Sequence, residues 1–382
     1  MKCWPTRPIQ TFTQAAPRTR QHFSKDALIW SLNLDQIESH GGRVLEKVFV
    51  SADKLGPSTF AFEPRTVLYS KLRPYLNKVV VADEAGFATT ELVPLRCDPD
   101  EVHPEYLAYF LRSEDFLRFA TDVVAGAKMP RMVMSEFWNY QVPLPPISEQ
   151  RRIAAILDQT DALRTKRREA MAQLECLKQS IFIEMFEGAD RGEGRWRVCT
   201  VGELSDCIVP GRDKPKSFSG GIPWVTTSDL IHLGVTSHSE KGMGLSAQEI
   251  EMVNARVIPN GSVIISCVGD LGIVSIAGTS MVVNQQLHSF QCHPELNNVF
   301  LMYCLARQKA FMLAKASSTT LPYMNKSVCN SIPVFLPPLT LQQSFASRIQ
   351  KIETIKACQQ AALIELDKLF SALQQRAFSG EL

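Results

Sequence analysis

Leu144-Pro145-Pro146-Ile147-Ser148-Glu149-Gln150 and, 192 residues later, Leu336-Pro337-Pro338-Leu339-Thr340-Leu341-Gln342 decide how this 382-residue chain is built. Both lie inside a longer self-match. Residues 129–190 align without a gap on residues 321–382, with 14 of 62 positions identical. The shared residues include Pro130/Pro322, Met132/Met324, Ser135/Ser327, Leu174/Leu366, Leu177/Leu369, Phe186/Phe378 and Gly188/Gly380. Weaker echoes reach upstream: Trp30 and Asp35 match Trp224 and Asp229, Val67 and Ser70 match Val263 and Ser266, and Leu92 and Cys97 match Leu287 and Cys292. A period this long marks a duplicated domain, because solenoid repeats run to about 20–50 residues. A chain of two like halves is suited to a partner that also has two halves.

Downstream of each Leu-Pro-Pro the apolar residues repeat at alternating steps of three and four. The first run is Ile153, Ile156, Leu163, Ala170, Leu174, Leu177, Ile181, with Thr160 and Arg167 interrupting two seam positions, and the second is Phe345, Ile352, Ile355, Ala362, Leu366, Leu369, Leu373, with Gln359 interrupting where Arg167 does. Such a heptad seam packs on a partner helix by knobs into holes. Proline holds the entry extended. Ser148 and Thr340 are the expected N-caps, Thr340 with Gln343 in a capping box, and Gly188 and Gly380 the expected stops. About 40 residues at 1.5 Å each give a rod of roughly 60 Å. Shared register and a whole domain between the two helices point to an antiparallel pair within the chain.

The resulting class is α/β (α+β): two mixed domains and two long antiparallel coiled-coil helices with pseudo-two-fold character. The expected boundaries are 1–146 and 191–338 for the domains, and 147–190 and 339–382 for the spacer helices. Both fronts carry short apolar runs bounded by turn residues, such as Thr66–Tyr69 and Ser262–Cys267, together with a helix near Pro104–Arg118 and Leu296–Ala314. A length of 382 residues suits two cores. Charged residues make up 21% and the net charge is +2, so composition alone neither requires nor excludes nucleic acid. No apolar run is long enough to span a bilayer, and a cytoplasmic protein is expected. Residues 1–25 lack acids, as transit peptides do, but Trp4 and Pro5 do not suit a targeting helix.

Ten cysteines are scattered without a Cys-x-x-Cys pair, which fits buried reduced thiols rather than disulfides or zinc. His288 and His293 have no ligand partner at metal spacing and read as structural. The chain also lacks a P-loop, an Asn/Asp-Pro-Pro-Tyr/Phe methyltransferase motif, a Glu-x-Lys nuclease motif and Gly-x-Ser-x-Gly. No catalytic residue is assigned, no metal site, and no cofactor bound by this chain.

Basic residues do gather in loops beside aromatic and amide neighbours. In the first half they are Lys71, Arg73, Tyr75, Asn77, Lys78, Lys128 and Arg131; in the second, Arg212, Lys214, Lys216, Gln285, Gln286, Tyr323, Asn325 and Lys326. Arg and Lys hold phosphates and pair with guanine, and Asn and Gln pair with adenine, so these clusters are candidate contacts to double-stranded DNA. A solvated loop surface would have a similar composition. The outward helix residues Arg164, Arg168 and Lys178 are candidates for contacts to partner proteins.

The order of variable domain, Leu-Pro-Pro-x-x-x-Gln, long helix, and the same again resembles the specificity subunit of type I restriction–modification systems. Trp30–Ser39, Leu68–Lys78, Ala88–Arg96 and the closing Gln375–Leu382 carry the same likeness; residues 1–25 do not. The resemblance implies two target recognition domains, each reading half of a split, asymmetric DNA site. It implies helices that act as a ruler and dock two modification subunits carrying S-adenosylmethionine, which methylate adenine. Restriction subunits using ATP and Mg can join such a complex, and the specificity chain itself catalyses nothing. Two alternatives stay open on the residues alone: a coiled-coil scaffold for protein partners, and an orphan or decayed specificity subunit.

Overall fold

The two Leu-Pro-Pro segments lead directly into the two longest helices, α1 (Ile147–Phe186) and α2 (Leu339–Ser379). The chain is seen in a computed structural model that describes residues 4–15, 27–56, 59–187, 196–211, 213–318 and 321–382. Arg212, Gly188 and Cys3 fall outside the described residues. The helices begin at the expected 147 and 339, but each cap lies two residues earlier than the sequence suggests, at Pro146 and Pro338. The carbonyl of Pro146 accepts from the N–H groups of Glu149 and Gln150 at 2.8 and 3.1 Å, and that of Pro338 from Leu341 and Gln342 at 2.9 and 3.2 Å. Ser148 and Thr340 therefore stand in the first turn rather than at the caps. Proline fits this entry because its fixed φ is compatible with a helix start and it has no N–H to leave unpaired.

The glutamine that ends each motif is fully buried and makes three hydrogen bonds. Gln150 Nε2 donates to the carbonyls of Glu101 and Pro145, each at 2.9 Å, and its Oε1 accepts from the His103 N–H at 2.9 Å. Gln342 repeats this with Glu295 O at 3.1 Å, Pro337 O at 2.8 Å and Asn297 N–H at 2.8 Å. His103 and Asn297 are the residues that open the helices Pro104–Leu111 and Asn298–Ala306. One side chain thus ties the start of each long helix to the start of a short helix of its own domain.

The chain divides into two compact units, residues 1–170 with 359–382 and residues 171–358. The first unit contains a four-stranded antiparallel sheet in the order Thr13–Ala15, Leu92–Cys97, Val67–Ser70, Val79–Val81. A second sheet has the order Phe49–Ser51, Leu28–Leu32, Gly86–Thr89, Thr59–Phe62, with its central pair parallel. Its main core joins Tyr69, Leu95, Tyr106, Phe110, Phe116 and Phe137 to Ile153 and Leu157 of α1 and Ala377 of α2.

The second unit repeats the plan. Its sheets run Ser205–Ile208, Leu287–Cys292, Val263–Ser266, Val274–Ala277, Val235–Thr236 and Gly244–Leu245, Ile222–Val225, Met281–Val283, Val257–Ile258. Phe182 and Phe186 of α1 and Phe345 of α2 enter its core, meeting Phe300 and Tyr303 in edge and stacked contacts.

Within each unit the long helices run antiparallel. In the first, Arg164 Nε donates to Asp367 at 2.6 Å and Arg167 bonds Gln359. In the second, Lys178 Nζ meets Glu353 at 2.5 Å and Lys356 pairs with Glu175. The register of the seam corrects the sequence reading. Leu163, Leu177, Ile355 and Leu369, expected inside, are 51, 45, 48 and 48% exposed. Ile156 is half-buried, as are Leu174, Ile181, Leu366 and Leu373, while Ile153 and Ile352 are buried.

The inward positions are shared at 153, 160, 167 and 174 but fall one residue later at Leu157, Arg164, Met171 and Lys178. The cause is chemical. Several true seam positions carry charges neutralised across the helix pair, so a search for apolar residues slides the heptad onto the neighbouring stripe. Arg164, Arg168 and Lys178 consequently face the partner helix rather than open surface.

Removing the glutamine tie should cost stability. Gln150→Leu or Gln342→Leu strands buried backbone groups and should lower unfolding free energy by about 3 kcal/mol, read from the denaturant midpoint. A loss near zero would show that the tie is incidental. Lys178, with 2% of its side chain exposed, is held by Glu175 and Glu353. Glu175→Ala combined with Glu353→Ala should cost about 3 kcal/mol by leaving a buried ammonium unpaired, and Lys178→Met distinctly less, since the two carboxylates keep contact with water.

Candidate nucleic-acid interface

The same backbone frame recurs at one edge of each unit. In the first, the Arg73 N–H donates to Pro130 O at 2.8 Å and the Met132 N–H to Lys71 O at 2.8 Å. In the second, the Gly269 N–H donates to Pro322 O at 3.0 Å and the Met324 N–H to Cys267 O at 2.9 Å. These bonds seat a short hairpin (Val124–Ala125 with Arg131–Met132, or Ser317–Ser318 with Pro322–Tyr323) against the loop that follows a central strand. One difference stands out. Gly269 takes a left-handed conformation at φ 79°, and Arg73 occupies the matching place at φ 49°. A non-glycine residue there costs about 1–2 kcal/mol.

The candidate residues of the first unit separate by what they already hold. Asn77 is buried and left-handed, and its Nδ2 donates to Arg112 O at 3.0 Å. Lys78 Nζ donates to Leu34 O at 2.6 Å. Arg131 forks onto Glu91 with Nη2 at 2.9 Å and Nε at 3.1 Å, and this guanidinium holds the Glu91 carboxyl below its ordinary range. These three brace the loop rather than face outward. Arg73, Tyr75 and Lys128 are exposed, and Lys71 is half-buried beside Glu91.

In the second unit Gln285 Nε2 donates to the carbonyls of Gly211 and Asp213, each at 3.2 Å. Asn325 Oδ1 caps a short helix by accepting from the Val328 N–H at 2.9 Å. Both are therefore positioning residues. The loop that Gln285 ties down carries Lys214 and Lys216, both exposed. Its far side is fixed by Glu249, whose carboxylate accepts from Ser217 Oγ at 2.5 Å and from the Ser219 N–H at 3.2 Å. Those hydrogen bonds, led by Ser217, hold Glu249 down to about 2. Gln286, Tyr323 and Lys326 are exposed, and Gln286 Oε1 accepts from Asn284 at 3.1 Å.

Sequence reading missed one constellation. Cys267, His288 and Cys329 are buried, and their ligand atoms lie within 4.8 Å of one another. The two sulfurs are 3.6 Å apart. His288 was read as having no ligand partner because its neighbours stand 21 positions before and 41 after it, at no recognisable spacing. The S–H of Cys267 and the adjacent His288 hold the Cys329 thiol down to about 6 against its burial, while burial and the Cys329 sulfur push Cys267 well up. His293 instead meets Asp206 at 3.6 Å.

Comparison with known proteins agrees with the doubled frame. The sequence model described as "Type I restriction modification DNA specificity domain" matches residues 58–175 and again 193–367. The type I restriction enzyme EcoDI specificity subunit of Escherichia coli is 25% identical over 158 residues, a match spanning 40% of this chain and 35% of that protein. The putative MjaX specificity subunit of Methanocaldococcus jannaschii is 21% identical over 315 residues, covering 76% of this chain and 71% of the other. A chain solved in a study of assembly and conformational transition of the type I restriction–modification system shares the fold, with TM-score 0.61 and 21% identity over 100% of this chain and 99% of that one. With both halves matched by the same domain and relatives aligned across most of its length, the chain belongs to the family of type I restriction–modification DNA specificity subunits.

Proposed function

We propose that each unit reads one half of a bipartite, asymmetric DNA site through its hairpin edge. The observation that carries this reading is the repeated hydrogen-bond frame: identical backbone bonds present Arg73, Tyr75 and Lys128 in one unit, and Gln286, Tyr323 and Lys326 with Lys214 and Lys216 in the other. Equal scaffolds with unequal side chains suit two different half-sites. Arg and Gln can read base edges, while the lysines hold phosphates and fix register. Half-sites one helical turn apart lie about 34 Å from centre to centre, and the paired helices would set that separation.

The stripe that sequence reading took for a seam has a use in this scheme. Leu163 and Leu369 are exposed on the helices of the first unit, and Leu177 and Ile355 on those of the second. Apolar residues left exposed along a satisfied helix pair suit protein docking. Each exposed pair would seat one modification subunit, two in all. S-adenosylmethionine, and ATP with Mg where restriction subunits join, would be held by those partners, leaving this chain a non-catalytic reader in the cytoplasm. Among the described residues no helix is long and apolar enough to cross a membrane.

Arg73→Gly should move two measurements in opposite directions. Relief of the left-handed arginine should stabilise the fold by about 1 kcal/mol, while specific DNA affinity of the complex with its modification subunit falls. Lys128→Ala should weaken all DNA sequences alike and flatten the salt dependence by about one unit of slope. If both substitutions leave DNA binding unchanged, the hairpin edge is not the reading surface.

Leu163→Ser with Leu369→Ser should abolish co-purification of one modification subunit without lowering the melting temperature. Unimpaired co-purification would place docking elsewhere.

A further inference from the structure

Two sulfurs and an imidazole converge beneath the hairpin edge of the second unit. Cys267 follows the central strand Val263–Ser266, His288 lies in the strand Leu287–Cys292, and Cys329 lies in the helix Lys326–Asn330. The Sγ–Sγ separation of 3.6 Å is close to the roughly 3.8 Å that two thiolates bound to one ion at about 2.3 Å each would show in a tetrahedral shell. His288 is 3% exposed, and its Nδ1 is enclosed without a hydrogen-bond partner. A buried orphan of this kind costs about 1–3 kcal/mol unless something satisfies it.

Packing alone does not call for these residues. In the first unit the aligned positions are Lys71, Val93 and Phe137. There Phe137 is fully buried and stacks on Tyr69 at 4.7 Å and Val93 is buried, so hydrocarbon fills two of the three places while Lys71 is half-buried. At those three places the second unit carries two soft sulfur donors and one borderline nitrogen donor. Thiolate with imidazole selects zinc-like ions over magnesium or calcium, which favour oxygen.

We propose that Cys267, His288 and Cys329 bind a zinc-class divalent ion that braces the reading edge of the second unit. The ion would join three segments otherwise held by the pairing of Val263–Ser266 with Leu287–Cys292 and by the hairpin hydrogen bonds. Those segments carry or adjoin Gln286, Tyr323 and Lys326. On binding, each thiol gives up its proton and the ion takes the sulfur lone pairs, with no change of oxidation state. The metal chemistry stands on these residues alone, whatever the edge contacts.

The test uses the full-length chain, purified under reducing conditions, dialysed against zinc sulfate and passed through gel filtration. Elemental analysis should find about one bound zinc per chain. Cobalt in its place should give the sulfur-to-cobalt charge-transfer absorption of a thiolate site. Added zinc should raise the melting temperature of the wild-type protein, because it binds the folded state preferentially. His288→Asn and Cys329→Ser, shown folded by circular dichroism, should lose the metal and the thermal shift. Cys176→Ser, on the exposed side of α1, should keep both.

Wild-type protein that is folded and reduced yet retains no zinc overturns the proposal. So does retention of metal by His288→Asn, loss of it in Cys176→Ser, or a Cys267–Cys329 disulfide forming with no metal uptake. If both site variants unfold, wild-type stoichiometry and the cobalt spectrum still decide.

Discussion

Each half of this protein is organised by one buried glutamine. Gln150 and Gln342 satisfy two carbonyls and one N–H apiece, at the point where an extended Pro-Pro segment becomes a long helix. Proline removes the N–H groups that a helix start would leave unpaired, and the glutamine supplies the donors its neighbours lack. The direction in which each long helix leaves its domain therefore follows from three hydrogen bonds in a dry site. Replacing glutamine by glutamate would bring a carboxylate against two carbonyl oxygens, so the amide is chemically specific there. That explains why Leu-Pro-Pro-x-x-x-Gln stands out in both copies while the loops around it have drifted.

The helix pair shows a second constraint. Its ends are apolar and merge with the domain cores, through Ile153 and Leu157 in one unit and Phe182 and Phe345 in the other. Between the ends, Arg164, Arg167 and Lys178 meet Asp367, Gln359 and Glu353. A polar seam contributes less stability than a leucine seam of the same size, but it specifies register, since a slip leaves charges unpaired. Fixed register suits the spacer role proposed for the pair.

Much of the architecture was legible in the residues. The gapless match of 129–190 on 321–382, the Pro-Pro entries and the 3.5-residue periodicity announce two like domains and two long helices. Phase was not legible, because a heptad template rewards leucine and overlooks an arginine that faces an aspartate about 200 positions away. The basic loops were visible in the sequence, but which of their side chains stay free was not. Asn77 and Arg73 look equally available in sequence, yet Asn77 is engaged by a carbonyl 35 positions away, whereas Arg73 is held outward in a strained turn. The Cys267–His288–Cys329 cluster was invisible for the same reason: its members meet through sheet pairing and a helix, not through local spacing.

The central claim is that two unlike reading edges on equal scaffolds recognise two unlike half-sites. Its most direct test is to express this chain with its modification subunit and map methylated adenine across a genome by long-read sequencing. The wild-type map should show one split, asymmetric motif that disappears when this chain is deleted. Exchanging Gln286, Tyr323 and Lys326 for alanine should relax one half of that motif and leave the other intact. Simultaneous loss of both halves in a folded complex, or a methylation pattern that ignores this chain, would contradict the account.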